Sequence, residues 1–331
     1  MELPIELKLA SEGLAMGMSQ GLMTDSAKEL SRRYMIESGT GKSLLTKSNE
    51  ALVYSLMRMP GTFGAVASIL EQVCMLSDFI PRSLLDAGAG TGTGSWAANQ
   101  YFLLDRVTCM ERESAMINIG KQLMCQSSDE ALKRATWVQT DLTEQAKRDI
   151  QRGQVQYESD LVIASYVLNE MAMEDRMQVV DWLWKNTKKM LVIVEPGTPV
   201  GSDNIRRIRD YLIEQGAYVV APCTHMERCP VKGDDWCHFT CRVQRGKLHR
   251  LLKEADAPYE DEKYSYITVS IEKVNTDSLY GRIRRHPITE KGRITLEMCT
   301  REGILSRTVT KKEGDLYKAA KKKECGDMFS L

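Results

Sequence analysis

Two spacings of apolar residues divide the chain into a helical part and a mixed part. Up to about residue 78, apolar residues recur at intervals of three and four, which is typical of helices that bury one face. Pro60 and Gly61 interrupt this pattern, so we expect one helix to end there and another to begin. From Ser83 onward, short apolar runs alternate with helical stretches, which indicates strands and helices in alternation.

The alternating part predicts an α/β fold with a parallel, doubly wound sheet. The strand candidates lie at 83–86, 106–110, 136–139, 161–165, 191–195 and 218–221. The first five are short apolar runs that end in turn residues and are separated by helical stretches, which is the βαβ pattern. A later run at 264–271 is expected to enter the same sheet as its last strand.

These patterns predict three regions. Residues 1–78 form a helical region, 79–275 form the α/β domain, and 276–331 form a small β-rich unit of antiparallel hairpins. A cysteine-rich insertion at 222–241 is expected inside the α/β domain. A basic, amphipathic helix is expected directly after this insertion.

Charge is balanced over the whole chain but not along it. The 331 residues include 45 Lys and Arg and 45 Asp and Glu. Residues 278–323 hold thirteen basic and five acidic residues, which gives this segment a net charge of +8. Such a basic segment in a neutral protein suggests a surface that faces a polyanion, and a solvated surface is the plainer alternative.

Composition also bears on the location of the protein. No run approaches eighteen consecutive apolar residues, so we expect no transmembrane helix and no membrane partner. The opening M-E-L-P-I-E-L-K-L resembles neither a secretory signal nor an Arg-rich transit peptide, which favours a cytoplasmic location. We expect a monomer.

A glycine-rich loop, L-L-D-A-G-A-G-T-G-T-G, follows the first predicted strand. Gly88, Gly90 and Gly92 let the backbone pass close under a ligand without a Cβ clash. A dinucleotide fingerprint would have glycine at the position of Thr93. Asp86 at the strand end would repel a pyrophosphate, whereas it suits the cationic methionine end of S-adenosylmethionine.

Three residues at later strand ends complete the predicted cofactor site. Glu111 follows the second strand, where it can accept hydrogen bonds from both ribose hydroxyls. Asp141 follows the third strand, where methyltransferases often hold the adenine amino group, and Ser165 ends the fourth. This order predicts S-adenosylmethionine as a cofactor. The alternative is a Rossmann-like domain that has lost its ligand.

The sequence assigns no catalytic residue. The fourth strand ends D-L-V-I-A-S-Y-V-L-N-E, which lacks both the N-P-P-Y type of motif and the cysteine nucleophile of cytosine C5 methylation. One interpretation is that a substrate pocket is lined by Ser165, Tyr166, Asn169 and Glu170; the alternative is that Asn169 and Glu170 cap and solvate the next helix. Glu195 is expected at the cleft mouth. Methyl transfer needs little acid–base help when the acceptor is aligned, so a missing base does not exclude it.

Cys223, Cys229 and Cys237 lie in a short, proline-flanked stretch and are better explained as metal ligands than as disulfides. A structural zinc site usually includes two cysteines separated by two residues, and this stretch has none. The wider spacing suits an iron–sulfur cluster with a fourth thiolate from Cys241 or Cys299. The alternatives are zinc, with His225 or His238 among its ligands, and cysteines without a metal.

The cysteine stretch C-P-V-K-G-D-D-W-C-H-F, followed by R-V-Q-R, resembles the hallmark of a known family. These are the methyltransferase-like proteins associated with the small ribosomal subunit, whose animal mitochondrial members are called methyltransferase-like seventeen. The likeness begins at L-S-R-R-Y and R-M-P-G-T-F-G-A-V, continues through the glycine loop and V-E-P-G-T-P, and reaches the closing C-G-D. It covers nearly the whole chain.

The resemblance implies a class I methyltransferase fold with a Rossmann-like sheet and a [4Fe–4S] cluster. Its ligands would be Cys223, Cys229, Cys237 and Cys299, since the family commonly has another residue where Cys241 stands. It also implies action on the small ribosomal subunit and its rRNA, either as an rRNA methyltransferase or as an assembly factor without catalysis. A radical enzyme is disfavoured because the C-x3-C-x2-C loop is missing.

The basic segment fits such an RNA partner. Its cationic side chains are expected to follow ribosomal RNA phosphates with sequence-blind, salt-sensitive affinity. They are Arg282, Arg284, Arg285, Lys291, Arg293, Arg307, Lys311, Lys312, Lys321, Lys322 and Lys323.

Overall fold

The computed structural model describes residues 1–37, 47–274 and 280–330, and for residues 34–37 it describes the backbone only. Its first region consists of α1 (Ile5–Ala15), α2 (Gln20–Glu37) and α3 (Ser48–Leu76). The predicted break at Pro60 is wrong, because α3 runs through it without interruption. Pro60 and Gly61 are buried, and a Cβ at Gly61 would lie 2.8 Å from the Glu262 carboxylate. Packing on both sides of Pro60 thus outweighs the backbone hydrogen bond that proline removes.

The α/β domain is built on an eight-stranded sheet. Its strands are β1 (Ser83–Ala87), β2 (Arg106–Glu111), β3 (Thr136–Gln139), β4 (Ser159–Ser165), β5 (Thr187–Pro196), β6 (Tyr218–Ala221), β7 (Phe239–Gln244) and β8 (Tyr259–Ser270). The order is β3-β2-β1-β4-β5-β8-β6, with β7 also paired to β8. The first five strands are parallel, and β8 is antiparallel to its neighbours.

This order confirms the predicted Rossmann-like sheet of the class I methyltransferase type. The strands β2 and β3 extend the sheet on one side of β1, and β4 and β5 extend it on the other, so the order of strands switches between β1 and β4. These two strands are parallel and end at the same edge of the sheet. Ligands of open α/β sheets bind outside the carboxyl ends of the strands at such a switch point. The topology therefore places the candidate cofactor site beyond Ala87 and Ser165.

Helices cover both faces of the sheet. They are α4 (Thr93–Tyr101), α5 (Ser114–Met124), α6 (Glu130–Lys133), α7 (Leu142–Arg152), α8 (Met173–Lys185), α9 (Pro199–Glu214) and α10 (Lys247–Leu252). One core lies between the sheet and α3, α4 and α5, and the other lies under α7, α8 and α9. By length and composition α3 is apolar enough to cross a membrane, but 61% of its most apolar window is buried inside the protein. Such burial is typical of the core helix of a domain.

The segment that follows the cysteine stretch differs from the prediction of one basic helix. It begins as β7 and becomes helical only at Lys247. In β7, Phe239, Cys241 and Val243 are buried in alternation with more exposed residues, which is the period of a strand. Pairing with β8 satisfies the backbone of this segment. The predicted helix is therefore confirmed only in its second half.

The C-terminal region forms a second, antiparallel sheet of five strands. Its elements are β9 (Tyr280–Ile283), β10 (Ile288–Glu290), β11 (Arg293–Thr300), β12 (Gly303–Thr310), α11 (Asp315–Ala320) and β13 (Met328–Ser330). Ile283, Leu296, Val309 and Phe329 belong to its own small core. The predicted boundary at 275/276 lies outside the described residues.

Candidate functional site

The glycine loop lies at the switch point of the large sheet and forms one wall of a cleft of about 410 Å³. Gly88 and Gly92 have φ angles of 71° and 83°, which side chains other than glycine rarely adopt. A Cβ at Gly88 would lie 2.4 Å from the Val167 side chain. The loop geometry thus requires glycine at these positions.

Glu111 lies at the end of β2 and borders the cleft beside the loop. Its carboxylate accepts hydrogen bonds from the Gly90 N–H at 2.9 Å and from the Glu113 N–H at 2.8 Å. Burial raises the pKa of Glu111, and these two backbone bonds act in the opposite direction. The side chain is therefore held in place at the predicted ribose position.

Asp86 lies behind the loop, and its side chain is fully buried. One carboxylate oxygen accepts hydrogen bonds from the Ser95 N–H and Oγ–H, both at 2.8 Å. The other oxygen has no hydrogen-bond partner among the described residues. Burial raises the pKa of Asp86 to about 6. Asp86 thus anchors the first turn of α4, and its direct contact with a cofactor stays a prediction.

Asp141 and Ser165 border the same cleft as Gly88, Gly90 and Glu111. The Asp141 carboxylate caps α7 by accepting hydrogen bonds from the N–H groups of Thr143 and Glu144, at 2.8 and 3.3 Å. Its other oxygen lies 3.6 Å from an Arg112 nitrogen. The structure therefore brings five of the seven predicted cofactor residues to one cleft wall, and Asp86 and Gly92 support the loop from behind.

The opposite wall includes residues of α3, which sequence reasoning did not connect with the cleft. Arg58 of α3 lines the cleft together with Tyr166. The Tyr166 hydroxyl donates to the Glu262 carboxylate at 3.0 Å, and Arg58 lies 3.6 Å from the same carboxylate. Tyr166 has a φ of 58°, a conformation that is costly for a bulky residue and is often found at functional sites. The residues of α3 carry no local motif that would have indicated this role.

Two carboxyl groups lie near the carboxyl ends of β4 and β5, namely the half-buried Glu170 after β4 and the buried Glu195 within β5. Burial raises the pKa of Glu170 and of Glu195 to about 7, and the nearby Glu111 adds to the shift at Glu170. Glu170 borders the cleft, whereas Glu195 accepts hydrogen bonds from the Asn169 N–H and the Asn204 amide. A carboxyl group with a pKa near 7 can hold or accept a proton at neutral pH. Glu170 is thus the better placed of the two to act on a bound acceptor.

A second cavity, of about 360 Å³, lies between the two sheets. Its lining includes all four cysteines that the family resemblance assigned to a metal, namely Cys223, Cys229, Cys237 and Cys299. Burial raises the pKa of the Cys299 thiol to about 12, with further increases from Cys223 and Cys229. As the side chains stand, no group of three or more Cys, His, Asp or Glu within the described residues has the geometry of a metal site.

The other candidate ligands occupy different positions. Cys241 is buried on β7 against α3, where a Cβ at Gly64 would lie 3.1 Å from its sulfur. His225 Nε2 lies 3.8 Å from the Cys299 sulfur, whereas the His238 ring stacks on Trp236. The arrangement therefore favours Cys299 over Cys241 as the partner of the cysteine stretch.

The basic C-terminal region differs in part from the prediction. Arg282 and Arg284 are 2% and 1% exposed, so they cannot follow RNA phosphates at the surface, and Arg285 pairs with Asp235. Both side chains have partners inside the protein: Arg282 donates to the carbonyl oxygens of Pro222 and Gly326, and Arg284 pairs with Asp235 and Glu297. Among the residues predicted to follow RNA phosphates, the lysines are exposed or half-buried; we call them the lysine end, and they are Lys291, Lys311, Lys312, Lys321, Lys322 and Lys323.

Comparison with known proteins adds an evolutionary context. The family model described as mitochondrial small ribosomal subunit Rsm22 matches residues 48–330. The ribosome assembly protein METTL17, mitochondrial, of Homo sapiens is 29% identical over 205 residues, which cover 57% of this chain and 43% of that protein. The Rsm22-cox11 tandem protein 2, mitochondrial, of Schizosaccharomyces pombe is 24% identical over 302 residues, which cover 76% and 39%. The matches span about two fifths of the length of these relatives.

Solved methyltransferase structures are also similar to the chain. The magnesium protoporphyrin IX methyltransferase of Synechocystis PCC 6803 with bound SAM has a TM-score of 0.41 and 14% identity, covering 74% of this chain and 97% of that one. The SAM-dependent methyltransferase of Agrobacterium tumefaciens has a TM-score of 0.41 and 10% identity, covering 63% and 62%. The fold assignment itself rests on the strand order and register described above.

Proposed function

Since the chain belongs to the Rsm22 family, we propose that it binds S-adenosylmethionine and the RNA of a small ribosomal subunit and acts during assembly of that subunit. The observation that carries this proposal is the family match over residues 48–330, because this range includes the cleft, the cysteine cavity and the lysine end. A relative named as a ribosome assembly protein supports the same reading.

The cleft supports S-adenosylmethionine as its ligand. Glu111 would bind the ribose, Asp141 the adenine side, and Gly88 and Gly90 would let the backbone approach the ligand closely. When bound, S-adenosylmethionine supplies an electrophilic methyl group. Alignment of an acceptor with that group accounts for most of what the protein would contribute.

Methylation of ribosomal RNA is the second candidate function, and the acceptor side of the cleft favours it. Tyr166, whose hydroxyl donates to Glu262, borders the cleft, and flat aromatic faces stack on nucleobases. Glu170 borders the same space with a pKa of about 7, so it can accept the proton that a methylated nitrogen or oxygen loses. An assembly factor without catalysis would not require this pair.

The cysteine cavity supports a metal centre, and we propose a [4Fe–4S] cluster with zinc as the alternative. The donor set fits either one, since four thiol groups border a single cavity between the sheets. Cys223, Cys229 and Cys237 would come from the large domain and Cys299 from the C-terminal sheet. A metal there would bind the two sheets together, so that metal binding would contribute to folding.

The lysine end supports contact with RNA phosphates. Lys311 directly follows β12, and its backbone N–H donates to the carbonyl of Gly292, next to Lys291. Lys291 and Lys311 therefore lie at one end of the C-terminal sheet, whereas Lys321, Lys322 and Lys323 follow α11. A cluster of this kind gives affinity for a phosphate backbone without reading its sequence.

Location and oligomeric state stay proposals. We propose a cytoplasmic location for this chain, whereas the curated relatives carry the word mitochondrial in their names. We propose a monomer that acts in whichever compartment holds its ribosome.

The decisive experiment maps methylated nucleotides in small-subunit RNA from a deletion strain complemented with wild-type protein or with Gly90→Asp. The aspartate would place a side chain and a negative charge in the cleft wall. Loss of one methyl mark in both the deletion and the variant strain would establish methyl transfer. Defective subunits with unchanged marks would establish an assembly role alone, and normal subunits with unchanged marks in the deletion strain would contradict both.

A further inference from the structure

Arg282 is a buried cation whose identified partners are all neutral. It lies on β9 of the C-terminal sheet and is 2% exposed. Its guanidinium donates to the carbonyl oxygens of Pro222 and Gly326, at 2.9 and 2.7 Å, and to the Gln72 side-chain oxygen at 2.7 Å. Guanidinium stays protonated in proteins, and a buried charge without a counter-charge is strongly unfavourable. We therefore expect an anionic group near Arg282 in the functional protein.

The position of Arg282 indicates where that anion would be. In the pairing of β9 with β11, Arg282 lies directly opposite Cys299. Its acceptor Pro222 immediately precedes Cys223, which follows β6, so Arg282 neighbours one cysteine through a side-chain hydrogen bond and another through strand pairing. Arg282 therefore lies next to two of the cysteines that border the cavity, although it is not itself part of the cavity lining.

Two other buried guanidinium groups border the cavity itself. Arg209 and Arg284 are 3% and 1% exposed and line it together with the four cysteines. Both have carboxylate partners, Asp210 for Arg209, and Asp235 and Glu297 for Arg284. Each also has a buried Nε–H without a partner among the described residues. Arg282 differs from them because none of its identified partners carries a charge.

We propose that Arg282 is a positioning residue that neutralises a metal–thiolate centre held by the four cysteines, and that it links occupancy of the centre to docking of the C-terminal sheet. This inference rests on the proposed metal site but not on which metal occupies it. Four thiolates around a core of charge +2 leave a net charge of −2, for zinc and for an oxidised [4Fe–4S] core alike. That charge is the missing counter-charge of Arg282.

The test compares two variants. Arg282→Met removes the positive charge and keeps a long side chain, whereas Arg282→Lys keeps the charge and loses the planar guanidinium with its several N–H donors. Full-length proteins are loaded anaerobically with ferrous iron and sulfide, or with zinc alone. Metal release to a chelator and the thermal unfolding of loaded and metal-free protein are then measured. The control is Arg293→Met, at an exposed position of the same sheet that pairs with Glu290.

We expect Arg282→Met to release metal about 10- to 100-fold faster than wild type, the usual effect of losing a residue that supports metal ligands. Its unfolding temperature should fall more in the loaded than in the metal-free protein. Arg282→Lys should stay within a few-fold of the wild-type release rate, and Arg293→Met should match wild type.

Three results would overturn the inference. The first is an equal loss of stability in loaded and metal-free Arg282→Met with an unchanged release rate, which would mean a packing role only. The second is an Arg282→Lys protein that loses metal more than tenfold faster than wild type. This release rate can be measured even if the methionine variant does not fold. The third is a wild-type protein that retains no metal, which would contradict the proposed metal site itself.

Discussion

The Gly90 N–H donates a hydrogen bond to the Glu111 carboxylate in one wall of the cofactor cleft, at 2.9 Å. This bond ties the glycine loop after β1 to the acidic residue at the end of β2. A carboxylate held in this way loses little freedom when a ligand arrives, so more of its interaction with the ligand appears as affinity. The loop and the acid therefore act as one unit.

Glu111→Ala should weaken binding of S-adenosylmethionine by about 10- to 100-fold, because hydrogen bonds to a charged group are each worth about 1.5–3 kcal/mol. Isothermal titration calorimetry measures this affinity directly. The matched control is the exposed Glu158→Ala, which should bind as wild type does. Unchanged affinity in Glu111→Ala would remove the ribose contact from the proposal.

Cys299→Ser should lose the metal that wild-type protein retains, whereas Cys241→Ser should keep it. Cys299 borders the cysteine cavity, and Cys241 packs against α3 on β7. The serine hydroxyl buried at position 241 should still lower the free energy of unfolding by about 1–3 kcal/mol. Metal analysis together with visible absorbance distinguishes the two variants, and the reverse pattern would make Cys241 the fourth ligand.

Glu195→Gln should stabilise the protein at pH 8 but not at pH 4. Burial raises the pKa of Glu195 from about 4.5 to about 7, so the folded protein holds a proton that the unfolded chain releases. This contribution to stability is full below about pH 4.5 and is lost as the pH rises through 7, at a cost of roughly 3 kcal/mol. Glutamine does not ionise, so the variant should not lose this part of its free energy of unfolding as the pH rises.

Urea unfolding of wild type and Glu195→Gln across this pH range measures the difference. The exposed Glu302→Gln serves as the control and should show a constant offset from wild type. A constant offset for Glu195→Gln as well would mean that the buried carboxyl group does not titrate in this range.

Replacing Lys321, Lys322 and Lys323 together by Gln should weaken binding to small-subunit RNA and lower its salt dependence. Each lysine that contacts a phosphate contributes about one to the slope of log affinity against log salt. Filter binding at several salt concentrations measures that slope. The matched control replaces three lysines on other helices and strands by Gln, namely Lys133, Lys185 and Lys188. An equal loss of slope in the control would mean that only the overall charge of the protein matters for RNA binding.

Local patterns were sufficient for the strands and for the cofactor loop. The runs at 136–139 and 218–221 match β3 and β6, because each strand is short and ends in turn residues. The loop after β1 could be predicted because its glycines, with the acids after β2 and β3, have a fixed order along the chain. These features need no knowledge of distant contacts.

The errors come from contacts between distant parts of the chain. The local sequence around Pro60 predicts a helix break, but α3 is continuous through it. The helix is packed on both sides of Pro60, and Gly61 lies close to the Glu262 carboxylate. Arg282 reads as a surface cation in a basic segment, but its bonds to Pro222 and Gln72 hold it between the sheets. The place of Arg58 in the cleft likewise depends on how α3 docks. Sequence spacing carries no signal of such docking.

The single 29-residue helix α3 serves two sites at once. Arg58 on this helix borders the cofactor cleft, and Gln72, fourteen residues later, accepts the hydrogen bond of Arg282 beside the cysteines. At 1.5 Å per residue, about 20 Å of stiff rod joins the two positions. A change in the tilt of this helix at one site would therefore reach the other. If the proposed metal and S-adenosylmethionine bind there, loss of the metal would also alter the affinity of the cleft for S-adenosylmethionine.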